Sequence, residues 1–362
     1  MSEGFSIACN QMKIRYQEYD ESLKFKNFLQ PNDRVNVFIS VESVLRNISR
    51  IPDLEKKIIL ERDFVTIMVS NLINLIAHYR GFFRSNGLDT KVYLYMTSLD
   101  SNYFYQSKYN DDYRSYYLVK WNENPKFIQF SEAFRRDILP LTKTYLEFIP
   151  DAYFLDGVNI EGSLIPYIVA KANPIRKNLI ISEEVYDTQY GLMDGFVMHY
   201  LHREFKESYT ASTSTQYLKE LIKKEEKDIP SDIQMLYNHY PFFVSLLSVL
   251  GDKSRSLDGV SGVRGITLTK LLFEGIGKQV INMSTESLVM LREIFQGYED
   301  RQEEFDKNFH CSSIKMGFDD LTNADCLSIT NQIQDRIDVN SLLHLNQTVF
   351  AKYPLLLDRL FS

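Results

Sequence analysis

Cysteine is scarce in this chain. Cys9, Cys311 and Cys326 are odd in number and show none of the close spacing of a metal site or a disulfide framework, so a reduced compartment is expected. No apolar run approaches the ~18 residues of a membrane-spanning helix. Met1-Ser2-Glu3-Gly4 does not resemble a signal peptide, and the expectation is a soluble, cytoplasmic protein with no membrane partner. Positive charge is also in deficit. The net charge of −7 excludes a global field that draws the protein to nucleic acid, leaving only a local patch for that role. No Walker-type phosphate loop and no Ser/His/Asp order is visible. His199 and His202 form an i, i+3 pair, but neither His310 nor any other third ligand lies within local reach, which argues against zinc.

What is present is ordinary globular composition, 44% apolar and 25% charged. Phe and Tyr are abundant, at 24 and 23 against a single Trp. That richness fits either an A+T-rich coding sequence or a binding surface. Short apolar runs at 35–39, 92–96, 152–155 and 178–182 read as strands, separated by helical patterns at 59–83, 131–148 and 161–172. Asn86-Gly87 is a good stop for the first of these helices. Strands alternating with helices predict an α/β fold, three layers around a mostly parallel sheet. Strand signals fade after about residue 205. We therefore expect an N-terminal extension over 1–34, an α/β domain over 35–205 and a helical region over 206–362, with Tyr209–Thr215 as the connecting loop. Lys219, Lys223, Lys224 and Lys227 alternate with Glu220, Glu225 and Glu226, the pattern of a solvated helix face.

The segment Gly259-Val260-Ser261-Gly262-Val263-Arg264-Gly265 carries the most information. Glycines at this spacing let a backbone approach a phosphate with no side chain intervening, and the amides of a following helix point at anionic oxygen. Gly251-Asp252-Lys253-Ser254 precedes it, and Thr267, Lys270, Leu271 and Leu272 follow. With these flanks the segment resembles the helix–three-turn–helix of the 5′-nuclease superfamily: flap endonucleases, phage 5′→3′ exonucleases and the T-even phage RNase H. The family pattern is Gly-Asp-x-Ser-Asp-Asn-Ile-Pro-Gly-Val-x-Gly-Ile-Gly-x-Lys-Thr-Ala-x-x-Leu-Leu. Here Gly251, Asp252, Ser254, Gly259, Val260, Gly262, Thr267, Leu271 and Leu272 match, while Arg255, Ser256 and Asp258 replace Asp, Asn and Pro. Upstream, 38–46, 109–117, 160–165 and 180–189 fall in the family's order.

The resemblance implies a PIN-like fold with a helix–three-turn–helix over about 245–275. It implies duplex or flap DNA as partner, gripped through Gly259, Val260, Gly262, Val263, Thr267 and Lys270. It also implies an arch-like contact to nucleic acid through Lys108, Tyr109, Tyr113 and Arg114; the same stretch reads equally well as a tyrosine-rich loop packed on the surface. The family's chemistry is hydrolysis assisted by Mg²⁺ that carboxylates hold. At the positions of those acids this chain has Ser40, Thr97, Ser163, Leu164, Tyr186 and Arg255; only Glu161 remains, with Glu184 as a conservative replacement. Arg255 cannot lose its proton and stands where a divalent cation is expected, free to pair with Glu161 or Glu184. Glu42, Asp100, Asp187 and Asp258 lie near lost acids, but a one-residue shift along a strand turns a side chain to the other face. The expectation is a catalytically inactive protein without a cofactor, serving as a DNA-binding or scaffold subunit among phage replication or transcription proteins in an infected bacterial host. The alternatives are an active Mg²⁺-dependent exonuclease or flap endonuclease using Glu161 and Glu184, and a purely protein-binding subunit.

Overall fold

The computed structural model describes residues 29–30, 32–44, 61–101, 103–113, 132–147, 149–184, 186–200, 240–252, 255–260 and 299–333. Strands β1 (Arg34–Ser40), β2 (Asp89–Thr97), β3 (Ala152–Gly157), β4 (Lys177–Ser182) and β5 (Phe196–Tyr200) form one sheet in the order β3-β2-β1-β4-β5. Every neighbouring pair is parallel. This is the α/β architecture that the alternating pattern predicts.

Each strand buries both faces, which explains why the apolar runs are nearly continuous rather than alternating with polar residues. Val35, Val37 and Ile39 of β1 face one layer with Val92, Leu94 and Met96 of β2 and Leu179 and Ile181 of β4. Helices α1 (Glu61–Ser85) and α2 (Leu139–Leu146) cover that face through Met68, Leu72, Ile76 and Tyr145. On the other face Phe38, Tyr93 and Tyr153 form a row of stacked rings, with centroids 4.8 Å and 5.3 Å apart. Among the described residues, five helices contribute to the core there: α3 (Ile165–Ala172), α4 (Tyr240–Leu250), α5 (Glu299–Ser312), α6 (Ile314–Asp319) and α7 (Asn323–Thr330). The helices beyond residue 240 thus share a core with the sheet.

Local chemistry refines several boundaries. The pattern over 161–172 begins with a tight turn, Gly162–Leu164, and becomes α-helical only at Ile165, where Pro166 suits the first turn because its missing N–H is not needed there. The pattern over 131–148 likewise opens with a wide turn, Phe134–Ile138, before α2, whose first turn holds Pro140. Strand β5 is not among the expected strands. The connecting loop at 209–215 and the charged run at 217–227 lie outside the described residues.

The topology decides where a site can form. All five strands end on the same edge, and the chain runs outward from β1 to β3 before returning to β4 on the other side of β1. That reversal leaves a crevice beyond the ends of β1 and β4, where ligands of open parallel sheets bind.

Candidate functional site

Four strand ends deliver the side chains. β1 ends at Ser40, β2 at Thr97, the turn after β3 leads to Glu161, and β4 ends at Ser182 just before Glu184. Serine hydroxyls knit the crevice: Ser43 Oγ lies 3.0 Å from Ser40 Oγ and 3.2 Å from Ser182 Oγ, and it accepts the Glu183 amide at 2.9 Å. Gly162 packs against the end of β2, with its amide donating to Thr97 Oγ1 at 3.1 Å. A Cβ there would sit 2.6 Å from the Thr97 nitrogen, so the close approach requires glycine. A small cleft with room for about one water molecule remains, lined by Ser40, Glu42, Tyr95, Met96, Thr97, Gly162, Ser163 and Glu184.

Beside this cleft lies a fully buried ion pair. The Arg255 guanidinium places Nε 3.0 Å and Nη2 2.9 Å from Glu161 Oε1, and Nη1 2.8 Å from Asp252 Oδ2. Its plane covers the Tyr186 ring, with Cζ 4.0 Å from the centroid. Tyr113 donates its hydroxyl to Glu161 Oε2. Burial acts to lower the Arg255 pKa, but the Glu161 and Asp252 carboxylates outweigh it and hold the guanidinium well above its ordinary value. Its charge is permanent.

The loop that aims Arg255 is closed at both ends. Gly251 adopts φ +74° and Ser256 φ +56°, and Asp252 and Leu257 exchange backbone hydrogen bonds of 2.9 and 3.0 Å. The Arg255 amide donates to the Asp252 carbonyl at 2.9 Å, and the Val260 amide to the Val249 carbonyl at 2.9 Å. Asn308 Nδ2 on α5 ties the loop down by donating to the carbonyls of Ser248 and Asp258, at 2.9 and 2.7 Å.

The acids near lost positions separate in space. Glu42 lines the cleft and accepts the Thr97 amide at 3.2 Å. Strand parity does not exclude it, because the chain has already left β1 and turned helical at 41–44. Asp187 is fully buried and accepts a hydrogen bond from the Tyr95 hydroxyl at 2.9 Å. Burial pushes its carboxyl up to about 6, against the lowering effect of the Ser163 and Ser182 hydroxyls. Asp100 projects outward, its side chain 78% exposed and 3.9 Å from Arg135. Asp258 is exposed as well.

The arch-like residues make internal contacts. Lys108 pairs with Asp320, and Tyr109 donates its hydroxyl to the same carboxylate at 3.1 Å while stacking on His310 at 4.3 Å. Tyr113 is buried. Leu164 belongs to the core, and Ser163 gives its carbonyl to the Tyr190 hydroxyl at 2.6 Å. Of the grip residues, Gly259 is exposed and Val260 buried, whereas Gly262, Val263, Thr267 and Lys270 lie outside the described residues, as does Arg114. Sequence reasoning assigned no role to Asp252, although it matches the Gly-Asp motif. It also gave no sign that Tyr113, rather than another of the many tyrosines, reaches Glu161.

No protein-family model matches the sequence, and no curated protein does. Solved structures do match. The flap endonuclease of bacteriophage T5, crystallised as an aspartate-to-lysine pseudo-enzyme–product complex with DNA and metal ions, aligns with a TM-score of 0.52 at 14% identity, over 83% of this chain and 98% of that one. The T5 D15 protein co-crystallised with metal ions gives 0.52 at 13% identity, over 83% and 100%. The chain has the 5′-nuclease fold. Within that fold Arg255, Glu161 and Asp252 converge beyond the ends of the central strands, at the edge where the sheet's crevice opens. The Arg255 guanidinium keeps its proton, and Glu161 accepts hydrogen bonds from Arg255 and Tyr113. Among the described residues, no group of three or more His, Cys, Asp or Glu side chains is arranged to hold a metal ion. No helix among them is long and apolar enough to cross a membrane.

Proposed function

We propose that this 5′-nuclease-like protein is not a catalyst and serves as a DNA-binding or scaffold subunit of a phage replication or transcription assembly. The observation that carries this reading is the buried cation: Arg255 occupies both the carboxylate of Glu161 and that of Asp252. Magnesium needs several hard oxygen ligands in near-octahedral array. Ser40, Thr97, Ser163, Leu164 and Tyr186 supply no carboxylate at the acid positions, so this donor set does not fit a carboxylate-held magnesium centre. The T5 pseudo-enzyme, with one aspartate changed to lysine, crystallises with product DNA. An added cation is therefore compatible with a DNA complex on this fold. The grip would come from the backbone around Gly259, Val260, Gly262 and Val263, with Thr267 and Lys270.

Glu42 and Glu184 on the cleft favour one competing reading, a residual metal-dependent nuclease. A labelled 5′-flap duplex incubated with Mg²⁺ or Mn²⁺ separates the two. The expected result is intact substrate; metal-dependent products that vanish in Glu184→Ala would replace our reading with the enzyme. Duplex affinity should fall as salt rises, and Gly262→Asp should weaken it. No affinity at low salt would leave a role in protein binding alone.

A further inference from the structure

We infer that Arg255 is a tethered cation that does the cross-linking work of a bound metal ion, fixing the loop residues 251–252 and 255–260 on the sheet edge without any divalent ion. This deepens the non-catalytic reading, but its test needs neither DNA nor a nuclease substrate. The geometry is that of a multidentate centre. One guanidinium engages Glu161 from the exit of β3 and Asp252 from the start of the loop, through different nitrogens, at 2.8–3.0 Å. Its face rests on Tyr186, which follows β4, and Glu161 in turn receives Tyr113. Four chain segments thus meet around one positive charge. A lysine ammonium, a point charge on a flexible stem, would not span both carboxylates with fixed geometry.

An ordinary ion pair and a metal surrogate differ in one respect. If the cation's place is what matters, an ion of the right chemistry should substitute for it. Arg255→Asp would bring a third carboxylate to Glu161 and Asp252, an oxygen set suited to Mn²⁺. Tm is measured with EDTA and with Mn²⁺ for the native chain, Arg255→Asp and Arg255→Met. The native Tm should not depend on the ion. Both variants should melt lower in EDTA, by on the order of 5–10 °C. Only Arg255→Asp should recover with Mn²⁺. No recovery, or an equal Mn²⁺ response in Arg255→Met, overturns the inference.

Glu161→Gln provides a second reading should Arg255→Asp not fold under either condition. Hydrogen exchange at the amides of Asp252, Leu257 and Val260 should quicken about tenfold or more, while amides of β1 and β2 keep their rates. Acceleration spread evenly over the sheet, or none in the loop, would show that Arg255 does not act as the loop's anchor.

Discussion

Replacing Gly251 by alanine strains the one turn on which the Arg255 geometry depends, and the cost can be worked from the structure. Gly251 has φ +74°, which costs a residue with a Cβ about 1–2 kcal/mol. The added Cβ would also lie 2.5 Å from the Gly259 nitrogen, 2.6 Å from the Leu257 oxygen and 2.7 Å from the Asp258 carbonyl carbon. These are backbone atoms, and they cannot rotate away. Nor can the opposing strand of the loop retreat cheaply, because Asn308 and the Val260–Val249 hydrogen bond hold it. The two effects together predict a loss of about 3–4 kcal/mol. Gly195 supplies the control: its φ is +79°, yet nothing lies within 4 Å of its added Cβ. Gly195→Ala should therefore cost only about 1–2 kcal/mol. Urea denaturation of the native chain and the two variants, compared at equal m, measures the difference. Equal losses at the two glycines would refute the steric argument and with it the claim that this loop is rigidly closed.

Asp187 predicts a pH effect. Its carboxyl is raised to about 6 in the folded protein from an ordinary value of 3.8, so the folded state binds the proton more tightly. The resulting stabilisation is fully present below about pH 4 and lost as pH rises through 6, a change of about 3 kcal/mol. Asp187→Asn should remove that part of the pH dependence in denaturation at pH 5 and pH 7; an unchanged profile would show that the group does not titrate there. Tyr113→Phe deletes the hydroxyl on Glu161 Oε2 and leaves a buried carboxylate oxygen one donor short. A loss of about 1–3 kcal/mol is expected by the same denaturation assay, and no loss would mean that water replaces the donor.

The sheet was legible because its strands are buried on both faces and so stand out as short apolar runs between amphipathic stretches. β5 was not, because Phe-Val-Met-His-Tyr is brief, carries a histidine and lies at the edge of the sheet next to β4 alone. The site was legible in its anomaly rather than in its wiring. An arginine in an acid's position announces itself by charge. Whether it turns to Glu161 or Glu184 depends on how the Gly251 turn aims the loop, which no spacing in the sequence encodes. Glu42 shows the opposite limit. Strand parity does not govern Glu42, because β1 stops at Ser40, two residues earlier.

Arg255 and Glu161 are energetically a single feature. A carboxylate that is 0% exposed and unpaired would cost several kcal/mol, and so would a guanidinium that is 0% exposed and unpaired. Each residue is tolerable only because the other is present, with Tyr113 and Asp252 adding further hydrogen bonds. A crevice that collects carboxylates can be neutralised either by dispensing with the acids or by supplying a cation. In this chain both routes are visible side by side: Ser40, Thr97, Ser163 and Tyr186 introduce no charge, and Glu161, a fully buried acid beside them, is met by an arginine. Changing either partner alone should therefore be worse than changing both to neutral residues. Arg255→Met combined with Glu161→Gln should recover part of the stability that Arg255→Met loses by itself.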